Sequence, residues 1–177
     1  MDVPLGRMVY TPMLNARGGI ESDLTVTRLA ADRFLLVTGS AQATRDADWI
    51  KRHRRDDEFA VLVDVTSAYS VLSVMGPGSA AMLGALSADD LAKDALPFAT
   101  TRDIDVGYAR VRAARMSYVG GPGYELCVAT DLCVTLYEAL WSEGAAFGLR
   151  DAWYYTIDAL RIEAAGVCHS DLSVVNG

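Results

Sequence analysis

The chain is poor in the residues that most often announce chemistry. It has three cysteines and two histidines in 177 residues. Cys127, Cys133 and Cys168 fall at spacings that suit neither a disulfide framework nor a thiolate metal site. Cys127 and Cys133 read as core residues. His53 sits in the charged run Lys-Arg-His-Arg-Arg-Asp-Asp-Glu and His169 in a polar tail, so no metal ion and no Ser-His-Asp triad is expected. No apolar run approaches the ~20 residues of a membrane span. Met1–Tyr10, broken by Asp2, Pro4 and Gly6, lacks the core of a secretory signal, and the expected compartment is the cytoplasm. Basic residues are outnumbered by acidic ones, giving a net charge of −7. That argues against nucleic acid as a partner.

What is present is ordinary globular material, with 51% hydrophobic and 22% charged residues. A chain of this length buries roughly 70% of its unfolded surface, enough for a core without covalent staples. One domain, or two small ones, is the expectation.

The hydropathy pattern changes period along the chain. Tyr10–Leu14 reads as a strand, Asn15–Gly19 as a turn, and Leu24–Thr38 as a hairpin. Ser40 is the expected N-cap of a helix over Ala41–His53, with Lys51, Arg52 and Arg54 complementing its dipole. Ala60–Asp64 and Tyr69–Met75 read as strands, Ser79–Leu86 and Ala88–Leu96 as short helices. Asp103–Ser117 reads as two strands turning at Gly107, and Tyr124–Ala129 as another. Asp131 is the expected cap of a helix to about Glu143, and Ala152–Ala164 closes the pattern with a last helix. Hairpins dominate and regular β-α alternation is missing, which argues for an α+β fold of antiparallel sheets with flanking helices. Phe34–Trp49 and Tyr124–Trp141 repeat the order strand, turn, helix, tryptophan, a weak sign of two similar halves.

Three places carry candidate chemistry. The turn before Ile20 is crowded with Asn15, Arg17, Glu21, Ser22 and Asp23, more polar groups than a hairpin needs. Asp23 is either a strand-end residue bonding local backbone or a carboxylate aimed into a pocket to steady a cation. Gly120-Gly121-Pro122-Gly123 precedes a strand rather than following one, so it is not a dinucleotide fingerprint. It is either a tight turn or a place where backbone approaches a flat ligand. Glu125, next on that strand, is either on a wet face or an anchor for a heterocycle presenting two parallel N–H donors, as a pterin does. Tyr10 and Tyr118 each adjoin a glycine-rich turn and read as aromatics with hydroxyls at a rim. Trp153-Tyr154-Tyr155 reads as packing for the last helix, with Arg161 and Glu163 exposed near its end.

These segments resemble a known family. Tyr10-Thr-Pro-Met-Leu-Asn15, Gly18-Gly-Ile-Glu-Ser-Asp-Leu-Thr-Val26, Phe34-Leu-Leu-Val-Thr-Gly39 and Arg45-Asp-Ala-Asp-Trp-Ile50 are similar to the folate-binding domain of the glycine-cleavage T-protein (aminomethyltransferase) family. So are Gly76-Pro77, Ser117-Tyr-Val-Gly-Gly-Pro-Gly-Tyr-Glu-Leu126 and Asp158-Ala-Leu-Arg-Ile-Glu163. The closest likeness is to the folate module of dimethylglycine and sarcosine dehydrogenases. The match is ordered and runs to about Gly166.

The resemblance implies a pseudo-duplicated domain over 1–166, with halves of about 1–60 and 61–166 and an off-pattern tail over 167–177. It implies tetrahydrofolate as cofactor, one-carbon transfer as activity, and a flavin amine dehydrogenase chain as partner; missing edge strands would expose sheet edges and favour pairing with a second copy, and no flavin domain is expected here. It implies folate binding by Glu125, Tyr10 and Tyr118. The family's catalytic aspartate, taken as the first of an acidic pair, falls on Ser22, leaving Asp23 as the surviving acid. The glutamate of the tyrosine-glycine turn falls on Gly121, and an arginine before the last helix's aspartate on Ile157. The family also has strands before Tyr10 and further chain after the last helix, so a truncated remnant of a longer enzyme is expected. Such a remnant would be either a one-carbon transferase or an incompetent binding module. A carboxylate beside a developing cation is worth a few kcal/mol, and strand alternation lets only one of Ser22 and Asp23 face any given cavity.

Overall fold

The computed structural model describes residues 2–164; Cys168 and His169 lie outside them. These residues form two compact units that divide after Thr66.

The first unit is a three-stranded antiparallel sheet of β1 (Met8–Leu14), β2 (Ile20–Arg28) and β3 (Phe34–Thr38), in that order. Its turn explains the polar crowding seen in the sequence. The Asn15 side-chain oxygen accepts from the backbone N–H groups of Arg17 and Gly19, and its amide donates to Glu21 at 2.8 Å. Arg45 reaches Glu21 at 2.7 Å. The Asn15 bond, then the Arg45 bond, hold the Glu21 carboxyl below its usual range. Gly18 sits at φ 79°, where a side chain would be strained.

After β3 the chain makes a 3-10 turn, Ser40–Gln42, and only then enters α1 (Ala43–His53). Ser40 therefore does not cap α1, contrary to expectation; no side chain does. The helix is fastened instead by Asp46, in its first turn and buried. Asp46 Oδ2 accepts from Ser22 Oγ of β2 at 2.9 Å and from Thr38 Oγ1 of β3. One carboxylate thus ties the helix to two strands, while its Oδ1 has no partner among the described residues. The expected strand Ala60–Asp64 is not one: residues 59–65 join no ladder.

The second unit is a four-stranded antiparallel sheet made of β4 (Tyr69–Met75), β5 (Thr101–Val106), β6 (Ala109–Arg115) and β7 (Gly123–Ala129), in the spatial order β4-β7-β6-β5. Alternate residues on its inner face, among them Val111, Ala113, Tyr124, Leu126 and Val128, are fully buried. They share one core with Met82 and Leu83 of α2 (Ser79–Leu86) and Leu136 and Leu140 of α3 (Cys133–Gly144). Gly107 turns β5 into β6 at φ 56°, as expected.

Ala88–Leu96 is not the expected helix. Ser87 Oγ and Asp90 Oδ1 accept from backbone N–H groups two residues on, so short polar side chains satisfy the backbone in place of a helical ladder. Leu91 and Leu96 still enter the core, and the Tyr124 hydroxyl donates to the Leu91 carbonyl at 2.8 Å. Asp131 is no cap either; it lies inside a 3-10 turn, Thr130–Leu132, that leads into α3. Strand, 3-10 turn and helix follow in the same order at β3–α1 and β7–α3, each helix carrying a tryptophan. Cys127 departs from its core assignment: it is half-buried on the outer face of β7. The last element is α4 (Tyr154–Glu163).

Asp46→Ala leaves the Thr38 hydroxyl without its acceptor and the Ser22 hydroxyl with Gln42 Oε1 alone. It is expected to cost about 3 kcal/mol in urea unfolding, and Asp46→Asn less, because an amide oxygen can still accept one of them. A methyl at Gly123 would lie 2.2 Å from Met75 Sδ and 2.9 Å from the Met116 carbonyl oxygen. Gly123→Ala is therefore expected to lower the melting temperature, read by calorimetry.

Candidate functional site

Two positions of the first unit come together. In the β1–β2 register Tyr10 lies opposite Thr25 and Pro12 opposite Asp23, so Tyr10 and Asp23 share a face of the sheet. The Tyr10 hydroxyl donates to the Asp23 carboxylate. Leu14, Val37 and the Tyr10 ring around them are half-exposed. Ser22, one residue away, points through the sheet to α1. It is 4% exposed and bonded to Gln42 Oε1 and Asp46 Oδ2, each at 2.9 Å. Of the neighbouring pair, Asp23 is presented outward and Ser22 is taken up by helix packing.

In the second unit Glu125 lies on the outer face of β7, opposite Ser73 on one side and Ala114 on the other. It makes no hydrogen bond or ion pair with another described residue. Burial alone pushes its carboxyl above the usual range. Arg112, opposite Cys127 and on the same face of the sheet as Glu125, is already committed. Its guanidinium grips Asp103 through two bonds of 2.8 and 3.2 Å. Burial likewise raises the Cys127 thiol. A desolvated acceptor with no donor among the described residues has a definite chemical use. It can accept two parallel N–H groups from a flat ligand, gaining charge-assisted bonds that the protein does not provide.

Tyr118 lies in the loop between β6 and β7, half-exposed, with the Arg161 guanidinium 4.8 Å above its ring. Arg161 therefore has a partner inside this unit and is not merely a solvated end of α4. Of the turn glycines, Gly120 is at φ 76° and a methyl there would sit 2.5 Å from the Ala164 Cβ. Gly120 and Gly123 are accounted for by conformation and packing; Gly121 faces open space. A recess of about 300 Å³ beside this turn is lined by Lys93, Phe98, Arg115 and Met116, with Gly121–Gly123. Neither Glu125 nor Tyr118 lines it.

Sequence reading missed two of these features. Asp46 is a buried acid whose signal was its place in the first turn of an amphipathic helix. The Tyr118–Arg161 stack joins residues far apart in the chain and leaves no local pattern. Among the described residues no cluster of three His, Cys, Asp or Glu side chains could hold a metal ion. No helix among them is long and apolar enough to cross a membrane.

Comparison with known proteins follows the same lines. A family model described as the GCVT N-terminal domain matches residues 1–173. 4-Methylaminobutanoate oxidase (formaldehyde-forming) of Paenarthrobacter nicotinovorans is 39% identical over 163 residues, covering 92% of this chain and 20% of that protein. Mitochondrial sarcosine dehydrogenase of Mus musculus is 39% identical over 174 residues, covering 90% of this chain and 19% of that protein. The crystal structure of the glycine cleavage system aminomethyltransferase T from Bartonella henselae superposes with a TM-score of 0.73 at 26% identity, covering 96% of this chain and 44% of that one. The chain thus spans a fifth or less of the length of the oxidase and the dehydrogenase. By sequence and by its mixed helix and antiparallel-sheet fold, the chain belongs to the GCVT N-terminal domain family.

Proposed function

We propose that residues 1–166 form a tetrahydrofolate-binding one-carbon transfer domain, working beside an amine dehydrogenase that carries the flavin. The observation that carries this reading is Glu125: a carboxyl raised by burial, without a hydrogen-bond or ion-pair partner among the described residues, on a half-covered sheet face. The pterin edge of tetrahydrofolate presents the paired N–H donors that such a group lacks. When bound, the folate supplies the nitrogen that takes up the one-carbon unit.

The other residues have roles that follow from their placement. Tyr10 holds the Asp23 carboxylate toward the outer face of its sheet. There the carboxylate offers negative charge to a reacting centre that becomes cationic, a contribution of about 2–4 kcal/mol for one well-placed group. Tyr118, fixed by Arg161, offers a ring for stacking. The formaldehyde-forming and sarcosine-oxidising relatives favour an N-methyl amine as the source of the carbon.

Calorimetric titration with tetrahydrofolate tests the reading. The chain binds, and Glu125→Ala weakens binding at least tenfold; a wild-type chain that takes up no tetrahydrofolate overturns it. The ionised carboxylate is the form that accepts N–H bonds, so affinity falls on acidification as Glu125 protonates. Because its pKa is raised, the fall begins at a higher pH than for an ordinary glutamate.

The same shift has a stability consequence of opposite sign. A raised folded-state pKa means the charged form is penalised above it, and the penalty disappears as pH drops through it toward the unfolded value. Glu125→Gln is therefore expected to raise the melting temperature at pH 7 while losing folate. Asp23→Asn is expected to leave folate affinity within twofold and, once the uncatalysed background is subtracted, to lower the rate of methylene-tetrahydrofolate formation from formaldehyde by about a hundredfold.

A further inference from the structure

Residues 59–65, Phe-Ala-Val-Leu-Val-Asp-Val, are β-forming in composition and join no ladder. Every second side chain is apolar and faces solvent: Phe59 is 102% exposed, Val61 73%, Val63 66% and Val65 38%. Among the described residues their backbone groups make no backbone hydrogen bond; the one polar contact to this stretch of backbone comes from Arg54, which donates to the Ala60 carbonyl at 2.9 Å. The stretch is bounded by the acidic run Asp56–Glu58 before it and by a 3-10 turn, Thr66–Ala68, after it. Like a sheet edge, a β-forming stretch whose backbone groups are unpaired among the described residues is a template for a strand.

The sequence of the stretch names the strand. It is symmetric about Leu62: apolar residues stand at one and three positions on either side. Two copies laid antiparallel about a twofold axis at Leu62 pair Phe59 with Val65 of the other, Val61 with Val63, and Leu62 with Leu62. All the alternate apolar side chains of both copies then share one face. The charges agree with this register. Asp64 falls opposite Ala60, and Asp56, Asp57 and Glu58 fall opposite the uncharged residues 66–68, so no carboxylate meets another. A one-residue slip would turn the apolar face of one strand against the wrong face of the other.

We infer that this chain self-associates as an isologous dimer through antiparallel pairing of residues 59–65 about Leu62. The surface is independent of the folate reading: it contains none of Tyr10, Asp23, Tyr118 or Glu125. A seven-residue pairing falls short of the ~1,200 Å² of a stable interface, so the dimer forms and dissociates with concentration. Each copy carries −7, so repulsion opposes pairing and added salt strengthens it.

Sedimentation velocity on the full chain, over a hundredfold range of concentration and at two salt concentrations, tests this. The wild type is expected to move from monomer to dimer, and earlier at the higher salt. Val61→Asp combined with Val63→Asp sets like charges opposite one another twice and is expected to weaken the dimer at least tenfold. Val61→Asp combined with Val63→Lys instead sets a carboxylate opposite an ammonium group twice, once on each side of the axis, and is expected to recover most of that loss. All these side chains are exposed, and circular dichroism checks that the variants fold. A wild type monomeric throughout overturns the proposal. So does a dimer indifferent to the Asp-Asp change, which would put the interface elsewhere. Failure of the Asp-Lys pair to recover dimerisation overturns the antiparallel register.

Discussion

The period of two in a β-strand decides most of what matters in this chain. A helix claims one face of each sheet, and the residues of the other face are left for other work. At Ser22 and Asp23 the helix-side residue is the serine, because the space beneath it already holds Asp46. At Tyr124 and Glu125 the helix-side residue is the tyrosine, buried and bonded to Leu91. In both units an acid is therefore turned to the face that the unit's own helices do not cover. Neither acid could be moved by one position without exchanging it with a group the core needs.

This constraint also bears on Ser22, the position on which the resemblance places the family's first acid. A serine there would read as a missing acid only if that position faced a cavity. Here it faces a buried carboxylate. A second carboxylate at 22 would bring two like charges together out of water, where one of them would have to take up a proton. The hydroxyl is the complement of Asp46, donating to an oxygen that needs a donor. The neighbouring acid, Asp23, has its own donor in Tyr10 and an outward position.

Where the sequence was legible, the signal was local. The β1–β3 and β5–β6 hairpins, β4 and the start of β7 all followed from alternation and from glycine turns. The errors came where a side chain changed what the backbone needed. Ser87 and Asp90 satisfied backbone groups and broke the helix expected over Ala88–Leu96. The 3-10 turns before α1 and α3 displaced the expected caps at Ser40 and Asp131 by a few residues. Ala60–Asp64, expected as a strand, joins no ladder. Propensity cannot say whether a partner strand is there to be paired with.

The site was legible in part for the same reason. Asp23 and Glu125 stood out as candidates because each is an acid on a strand beside a glycine-rich turn, with a purely structural role equally open; a binding role for Tyr10 came from the family resemblance and from no local pattern. The two contacts that tune the site join residues more than twenty positions apart, Ser22 to Asp46 and Tyr118 to Arg161. Local periodicity carries no information about such pairs. What it does carry is parity, and parity is enough to separate neighbours. Once one residue of a strand is shown to face a helix, the orientation of the next is fixed, and with it which of two adjacent candidates is turned outward.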